Sequence, residues 1–578
     1  MEQFVKNTIT LVFCIFAIIT SLLFIISEEF SMENLLFPIV IITISCILAK
    51  FPYLYRVKIE RPIVALLVIS FLALSIRIIW VSLVQVIPES DFYTYHTLSQ
   101  NILQNNVSNS VFVSLFPHVF GFSKVLSFFY EIFGSNPITA VYFNIVLSIG
   151  ILILVYYLGK NLIDANTGLA AAAIYAFWPS QIFFNTFVLT EPLYTFGVLL
   201  IICFYFVIIN KVKKPIYLFL SFLILGSVIG FLKLIRPSAS ILLLSILIHY
   251  FFIAKKKIAY SNNTLLNRSS NTGLNPKNNF SGDVSNKIPY KVKEVKVKTN
   301  LLIPGLSLLK LKTSLLKKKT SLFKPRTNRC KQKESLLKQN ANLFKKKTTL
   351  PWTKASILNT GAKAALSAVL VLSCSLITSV SIDRIEDKIG IDTARHTSGF
   401  YLLVGANLEG KGKYNNKDAA ILQAMLNGGM PADMIQRHLS ESGIKRFLES
   451  DIMSQISHQI NKNKYMWRID SDSISFTKAT ISPTSHINIE KHSVWLSEVA
   501  NFYYSVFFLL ALSSIFFLRN KIPPFYFVFY LFILGTVAAH MLVEVQSRYH
   551  YPVVPVFCIL AATVLTRAPK ASGDSNSE

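Results

Sequence analysis

The sequence predicts an all-α membrane protein that crosses the bilayer about twelve times. Hydrophobic residues make up 52% of its 578 residues, and charged residues make up only 15%. The hydrophobic residues form long runs instead of alternating with polar positions. A bilayer core about 30 Å thick needs roughly 20 apolar residues per helix, and each run is close to that length. The predicted spans are residues 8–27, 34–50, 62–87, 137–158, 168–186, 191–210, 215–235, 237–254, 357–380, 496–518, 523–543 and 551–567.

The spans and the segments between them define the predicted domains. These are an N-terminal two-span hairpin at 1–61, a transmembrane core at 62–254 with a first external loop at 88–136, a basic low-complexity insertion at 255–356, one span at 357–380, an extracytoplasmic loop region at 381–495, C-terminal spans at 496–567 and a tail at 568–578. Helical patterning through "DMIQRHLSESGIKRFLESDIMSQISHQI" predicts that the loop region is mainly helical. The six cysteines show no disulfide or metal-ligand spacing.

Lys and Arg residues in the short loops predict the orientation, because cytoplasmic loops carry the positive excess. Basic residues occupy the loops at 50–61, 160, 211–214, 255–257 and 519–521, all on one side of the predicted topology. We therefore expect both termini in the cytoplasm. The opposite, extracytoplasmic face receives residues 28–33, 88–136, 187–190, 233–236, 381–495 and 544–550.

The basic insertion supplies most of the formal net charge of +28. From Ser307 it reads "SLLKLKT SLLKKKT SLFKPRT", a unit of seven residues that recurs in altered copies. Its composition favours a low-complexity segment without a packed core. An amphipathic segment on the anionic inner leaflet is the alternative. Nucleic-acid binding is not favoured, because no aromatic residues are interleaved to stack on bases.

We expect the insertion to be dispensable for activity. Deletion of residues 262–350 should leave the activity of the protein largely intact, because the deleted segment contains none of the ionisable residues at the extracytoplasmic ends of the predicted spans. The measurement is the specific activity of the purified deletion variant relative to wild type. Complete loss of activity in a correctly inserted variant would contradict this expectation.

Ionisable residues at the extracytoplasmic ends of spans are the main candidates for function, since charge at a membrane edge is costly and tends to line a cavity or pathway. They are Asp91 in "ESDFYTYH", Glu191 in "VLTEPLYTF", Lys233 and Arg236 in "FLKLIRPSA", and Glu544 with Arg548 in "EVQSRYHYPVVPVF". Each residue also has a local structural interpretation. Asp91 could cap the N-terminus of a helix, and Glu191 could begin a helix, where an acid favours the dipole. Lys233 and Arg236 could extend their charged ends to the lipid headgroups. Their common sidedness favours one shared pocket.

This set of charges fits an anionic lipid-linked substrate, such as a sugar on a polyprenyl phosphate. Arg548, Arg236 and Lys233 would neutralise the phosphate, with the guanidinium groups offering paired hydrogen bonds. Asp91 would take the proton from an acceptor hydroxyl. Because the leaving group is already a phosphate, one base and a cationic clamp suffice.

The order of the motifs resembles a known family. They are Asp91 with Tyr95 four residues later, "FPHVFGFSKVLSFFYEIFGSN" from Phe116, "FWPSQIFFNTFVLTEPLYTFGVLL" from Phe177, "LIRPSA" from Leu234 and "SRYHYPVVP" from Ser547. They resemble the bacterial membrane glycosyltransferases of the GT-C fold that are related to the dolichyl-phosphate-mannose protein mannosyltransferases and the lipid A aminoarabinose transferase. The resemblance covers about residues 62–254 and 357–567.

The resemblance implies inverting transfer of a sugar from a polyprenyl-phosphate donor to an extracytoplasmic acceptor, which is a cell-envelope glycan, a lipid or a protein. By the same resemblance, Asp91 matches the catalytic base, and Glu191 matches a second acid that lies near a metal in some relatives. Arg548 and Tyr549 match a late "R-Y" motif near the lipid phosphate, and Tyr95 accompanies Asp91 as a substrate-binding residue.

Two departures from the family pattern bear on these expectations. Two spans precede the point at which many relatives begin, and the first external loop carries one clear Asp instead of an adjacent acidic pair. No cofactor is therefore predicted with certainty, and a divalent metal ion is left open. His96, His118 and His550 lie near the expected pocket but lack metal-ligand spacing.

Other functions remain open on the sequence. A lipid-linked sugar flippase or transporter would also have about a dozen spans and a basic cavity, although related halves and broken midplane helices are expected there. A glycan polymerase or ligase would share the substrates. The stretch "GFYLLVGANLEGKGKYNNKDAA" from Gly399 fits a structural cover over the site, with acceptor contact as the alternative.

Overall fold

A computed structural model describes residues 1–25, 59–254, 354–518 and 522–566, together with Thr43 and Ile47. The described residues outside 354–357 belong to one compact unit. The predicted span 34–50, the basic insertion 255–356 and the tail 568–578 lie almost entirely outside the described residues.

The described residues form an all-α protein, as predicted. The only strand-like pairing among them is an isolated antiparallel bridge between Val86 and Ile481. In chain order, the helices are α1 (Glu2–Ile25), α2 (Pro62–Leu83), α3 (Ser90–Leu103), α4 (Val111–Leu115), α5 (His118–Phe133), α6 (Pro137–Leu162), α7 (Ala165–Ala176), α8 (Pro179–Phe184), α9 (Glu191–Lys211), α10 (Pro215–Lys233), α11 (Ala239–Ile248), α12 (Lys354–Ile389), α13 (Gly399–Gly405), α14 (Asn416–Asn427), α15 (Ala432–Glu449), α16 (Ile452–Arg468), α17 (Asp472–Thr480), α18 (Ile489–Leu518), α19 (Tyr526–Leu542) and α20 (Val554–Thr566).

Membrane-spanning helices account for most of the predicted runs. Within the described ranges, seven helices are long and apolar enough to cross a bilayer, namely α1, α2, α6, α9, α10, α12 and α18. Three further apolar helices, α11, α19 and α20, are shorter. A π-helical turn extends α11 to Ile253. This arrangement confirms the prediction of an all-α protein with many membrane-spanning helices.

The predicted span at 168–186 is not one continuous helix. The chain forms α7 and α8 instead, separated at Phe177 and Trp178. Pro179 begins α8 and disfavours a helical conformation for the residue before it. With 12 residues, α7 is about 18 Å long, too short to cross the hydrocarbon core alone.

The short helix α7 is nevertheless deeply packed, between α6 and α20. Gly159 and Gly168 allow α6 and α7 to approach closely, since a Cβ atom on Gly159 would lie 2.8 Å from the Cα of Gly168. At the break, the buried Arg77 of α2 donates to the Ala176 carbonyl at 3.0 Å. The last carbonyl groups of a helix have no hydrogen-bond partner within the helix. The Arg77 guanidinium supplies a partner for the Ala176 carbonyl, which lies at the end of α7.

The predicted loop region at 381–495 is mainly helical, as expected. The helix α12 continues past the predicted span end to Ile389, and α18 already begins at Ile489. Helices α13 to α17 occupy the segment between them. Their packing is partly polar: the buried Asp418 of α14 accepts from Arg446 of α15 at 2.7 Å.

Candidate active site

Four polar side chains from distant parts of the chain meet at one end of the membrane helices. Arg548, in the 3₁₀ turn before α20, donates from Nη2 to Asp91 Oδ2 at 2.7 Å. Its Nε lies 3.8 Å from Glu191 Oε1. Arg236, in the turn after α10, donates from Nη2 to Glu191 Oε1 at 2.6 Å. The structure therefore brings together these four residues, which sidedness predicted to lie on one face.

Asp91 lies inside the first turn of α3 and does not cap it. The N-cap position is occupied by Glu89, whose side chain makes no capping bond, and Ser90 adopts a left-handed φ of +51°. The N-cap interpretation of Asp91 is therefore wrong, although a carboxylate in the first turn still interacts favourably with the helix dipole. The Asp91 side chain is 48% exposed, so its carboxylate is accessible from solvent.

Glu191 is placed differently from Asp91, because it is almost fully buried. It is the first residue of α9, and its side chain is 1% exposed. Thr190 donates from Oγ1 to Oε2 at 3.1 Å. A buried carboxylate held by a hydroxyl and two guanidinium groups is suited to fixing the cations in place.

Arg548 is held in one orientation by its own segment. Its Nε donates to Gln546 Oε1 at 2.7 Å, and Gln546 Nε2 donates to Glu544 Oε1 at 2.8 Å. Its guanidinium also lies 5.6 Å from the Phe92 ring and 5.7 Å from the Phe476 ring. With a side chain only 7% exposed, Arg548 is a preorganised cation in a partly apolar wall.

Glu544 is a buried acid that the sequence placed among the candidates but to which it assigned no role in the site. Only 3% of its surface is exposed. Burial raises the pKa of Glu544 to about 7, while the hydrogen bond from Gln546 and the charge of Arg548 act in the opposite direction. Glu544 therefore changes its charge near neutral pH, two hydrogen bonds away from Arg548.

Two tyrosines complete the wall around the cations. The ring of Tyr549 lies 5.6 Å from the Arg236 guanidinium and 5.9 Å from that of Arg548. Tyr95 is one helical turn beyond Asp91, with its ring edge-to-face on Phe122 at 5.3 Å. Burial raises the pKa of both hydroxyls, so both stay protonated and available as hydrogen-bond donors.

Lys233 is the predicted site residue that the structure does not bring into this group. It is the last residue of α10, and its charge acts on the Cys374 thiol of α12. Among the described residues it forms no ion pair with the carboxylates of the site. The chain turns after Leu234, and this turn directs Arg236 towards Glu191 while Lys233 stays on the helix.

A second buried polar group supports the turn that carries Arg548, and no sequence pattern predicts this group. His550 Nε2 lies 3.0 Å from Asp470 Oδ1, and its Nδ1 lies 2.6 Å from the Met466 carbonyl. Trp178 donates from Nε1 to Asp470 Oδ2 at 2.6 Å. His550 is thus engaged in holding the 3₁₀ turn against the loop region and the start of α8.

The residues present do not fit a divalent metal ion at this site. Asp91 and Glu191 are the acids that such an ion would need, and both are paired with guanidinium groups. No group of three or more His, Cys, Asp or Glu residues within the described part of the chain could hold a metal. His96 contacts Tyr130 at 2.7 Å instead. We therefore derive no chemical step through a metal.

Comparison with known proteins supports the resemblance inferred from the motifs. Residues 118–266 match the family model of the dolichyl-phosphate-mannose-protein mannosyltransferases. The match covers about a quarter of the chain and includes Glu191 and Arg236. No curated protein sequence gives a significant match.

Proposed function

Because the family match supports a membrane glycosyltransferase of the GT-C type, we propose that this protein transfers a sugar from a polyprenyl-phosphate donor to an extracytoplasmic acceptor. The acceptor is a cell-envelope glycan, a lipid or a protein, and the transfer proceeds with inversion. The site is the group of Asp91, Glu191, Arg236 and Arg548, on the face of the membrane opposite to the basic loops.

The observation that carries this proposal is the position of Arg548 between two carboxylates. The two guanidinium groups and the two carboxylates balance each other in charge. A donor phosphate that approaches Arg548 and Arg236 competes with the carboxylates for the same N–H groups. Asp91 is half exposed whereas Glu191 is buried, so Asp91 is the partner that is displaced.

Displacement of Asp91 couples donor binding to base catalysis. Once phosphate oxygens occupy Arg548, the Asp91 carboxylate is free to accept the proton of an acceptor hydroxyl. The hydroxyl oxygen forms a bond to the anomeric carbon, and the bond from this carbon to the phosphate oxygen breaks. The electron pair leaves on the polyprenyl phosphate, where Arg548 and Arg236 stabilise the added negative charge.

Glu544 should give this reaction a pH dependence near neutrality. Below about pH 7 its buried carboxyl is protonated and neutral, and above about pH 7 it is ionised. The extra negative charge lies beside Arg548 and opposes binding of the donor phosphate. We expect the KM for donor to rise roughly tenfold as the pH increases from 6 to 8.5, an effect of about 1.4 kcal/mol. The measurement is KM for donor as a function of pH.

Glu544→Gln should remove this pH dependence, because the amide oxygen still accepts from Gln546 but no longer ionises. Glu441→Gln, at an exposed acid of α15, is the matched control and should keep the wild-type profile. The raised pKa also means that Glu544 stabilises the fold at low pH and loses this contribution as the pH rises through about 7. A wild-type KM that is flat across this range would contradict the assignment.

The proposed function is tested by purified protein in proteoliposomes with labelled polyprenyl-phosphate sugars. We expect label to appear on an added acceptor fraction and the free polyprenyl phosphate to accumulate in equal amount. The anomeric configuration of the product, determined by NMR, tests inversion. Movement of labelled donor between leaflets without transfer would contradict the proposal and favour a transporter.

A further inference from the structure

The turn between α15 and α16 exposes an unusual number of large apolar side chains. Leu448, Ile452 and Met453 are each at least 75% exposed, and Ile444, Phe447 and Ile456 are exposed as well. Single exposed apolar residues are ordinary, but a contiguous set on a polar loop region indicates an interaction surface. We refer to these six residues as the apolar tip.

The helix that follows the tip lies across the end of a membrane helix. Gln459 of α16 donates from Nε2 to the Met541 carbonyl at 3.0 Å. Lys462 donates from Nζ to the Met541 carbonyl at 3.1 Å and to the Val543 carbonyl at 2.8 Å. These carbonyls belong to the last turn of α19 and the residue after it, so α16 covers the carboxyl end of this apolar helix.

The apolar tip continues the same face of α16. Ile452 and Ile456 precede Gln459 by seven and three residues, which places all three on one side of the helix. Gln459 rests on α19, whereas Ile452 and Ile456 are exposed. On this face the helix therefore presents apolar side chains beyond its contact with α19, and Met541 and Leu542 at the end of α19 are exposed as well.

We infer that the apolar tip inserts into the leaflet on the side of the polar site and anchors the loop region to the membrane. The position of α16 on the end of α19 aligns the tip with the lipid-facing surface of that helix. Insertion of an amphipathic helix to the depth of the headgroup and acyl boundary buries such side chains favourably. The anchored helix also carries Lys462, which binds the residues just before Glu544, so the anchor sets the height of the site above the lipid.

The inference is tested by spin labels on single cysteines in the full-length protein, reconstituted in phosphatidylcholine and phosphatidylglycerol vesicles. The labels are placed at Ile452→Cys, Ile456→Cys and Lys417→Cys, in a background without the six native cysteines that retains native folding. Lys417 is a highly exposed polar position on α14, outside the apolar tip, and serves as the matched control. The readout is the relative accessibility of each label to oxygen, which partitions into lipid, and to a water-soluble nickel chelate.

We expect labels at 452 and 456 to be several-fold more accessible to oxygen than to nickel, and the label at 417 to show the reverse. Equal nickel accessibility at all three positions would overturn the inference. So would labels at 452 and 456 that are immobilised and shielded from both reagents, since this indicates a protein partner or a second copy. These readouts do not depend on sugar transfer, so they fail or succeed independently of the proposed function.

Discussion

Asp91→Asn is expected to lower the rate of sugar transfer by about 10²- to 10⁴-fold, the range typical of a lost general base. The amide is nearly isosteric with the carboxylate and can still accept a hydrogen bond from Arg548, but it cannot take a proton from the acceptor. The loss should appear in kcat, with KM for donor little changed or lowered, because Asp91 competes with the phosphate for Arg548. The measurement is steady-state transfer by purified protein in proteoliposomes.

The fold should tolerate this change. The Asp91 side chain is half exposed, and ion pairs of this kind contribute about 1 kcal/mol or less. Glu89→Gln is the matched control, since Glu89 is an exposed acid two residues away with no capping bond. It should leave transfer unchanged. Full activity of Asp91→Asn in the same assay would remove Asp91 as the base.

The sequence predicts that the charged residues of the site lie near one another, because all of them are at helix ends on the same predicted side of the membrane. Hydrophobic runs define helix ends, and basic loops define the predicted sides, so Asp91, Glu191, Arg236 and Arg548 were expected at one end of the bundle. The structure joins these four side chains directly. The pairing itself was not predicted, since nothing in the local sequence indicates that Arg548 contacts the acids and not open solvent.

Other features depend on tertiary contacts that leave no local pattern. Asp470 lies 80 residues before His550, within an ordinary polar stretch, yet the two form a buried pair. Lys233 and Arg236 are three residues apart and were treated alike, but the α10 helix ends between them and separates their surroundings. Hydropathy also missed the break at Trp178, because mostly apolar residues continue on both sides of it.

Arg548→Lys is expected to reduce kcat/KM for donor by at least about 100-fold, although it conserves the charge. Arg548 contacts Gln546 through Nε and Asp91 through Nη2, with Glu191 Oε1 3.8 Å from Nε. A lysine ammonium is a compact point charge and cannot reach these groups at once with the fork geometry of a guanidinium. Loss of the planar contact to the phosphate should raise KM, and loss of stabilisation in the transition state should lower kcat.

The lysine variant should still fold, because Glu191 keeps its ion pair with Arg236 and the ammonium still supplies a positive charge near both acids. Arg395→Lys is the matched control, since Arg395 also pairs with two acids, Asp383 and Glu386, but at an exposed position of the loop region. It should retain wild-type kinetics and thermal stability. If Arg548→Lys kept wild-type KM and kcat, the phosphate would have to be bound elsewhere, and Arg548 would act only as a structural partner of Asp91. A wild-type melting temperature combined with lost transfer would instead assign Arg548 to the reaction itself, as the competition between phosphate and Asp91 requires.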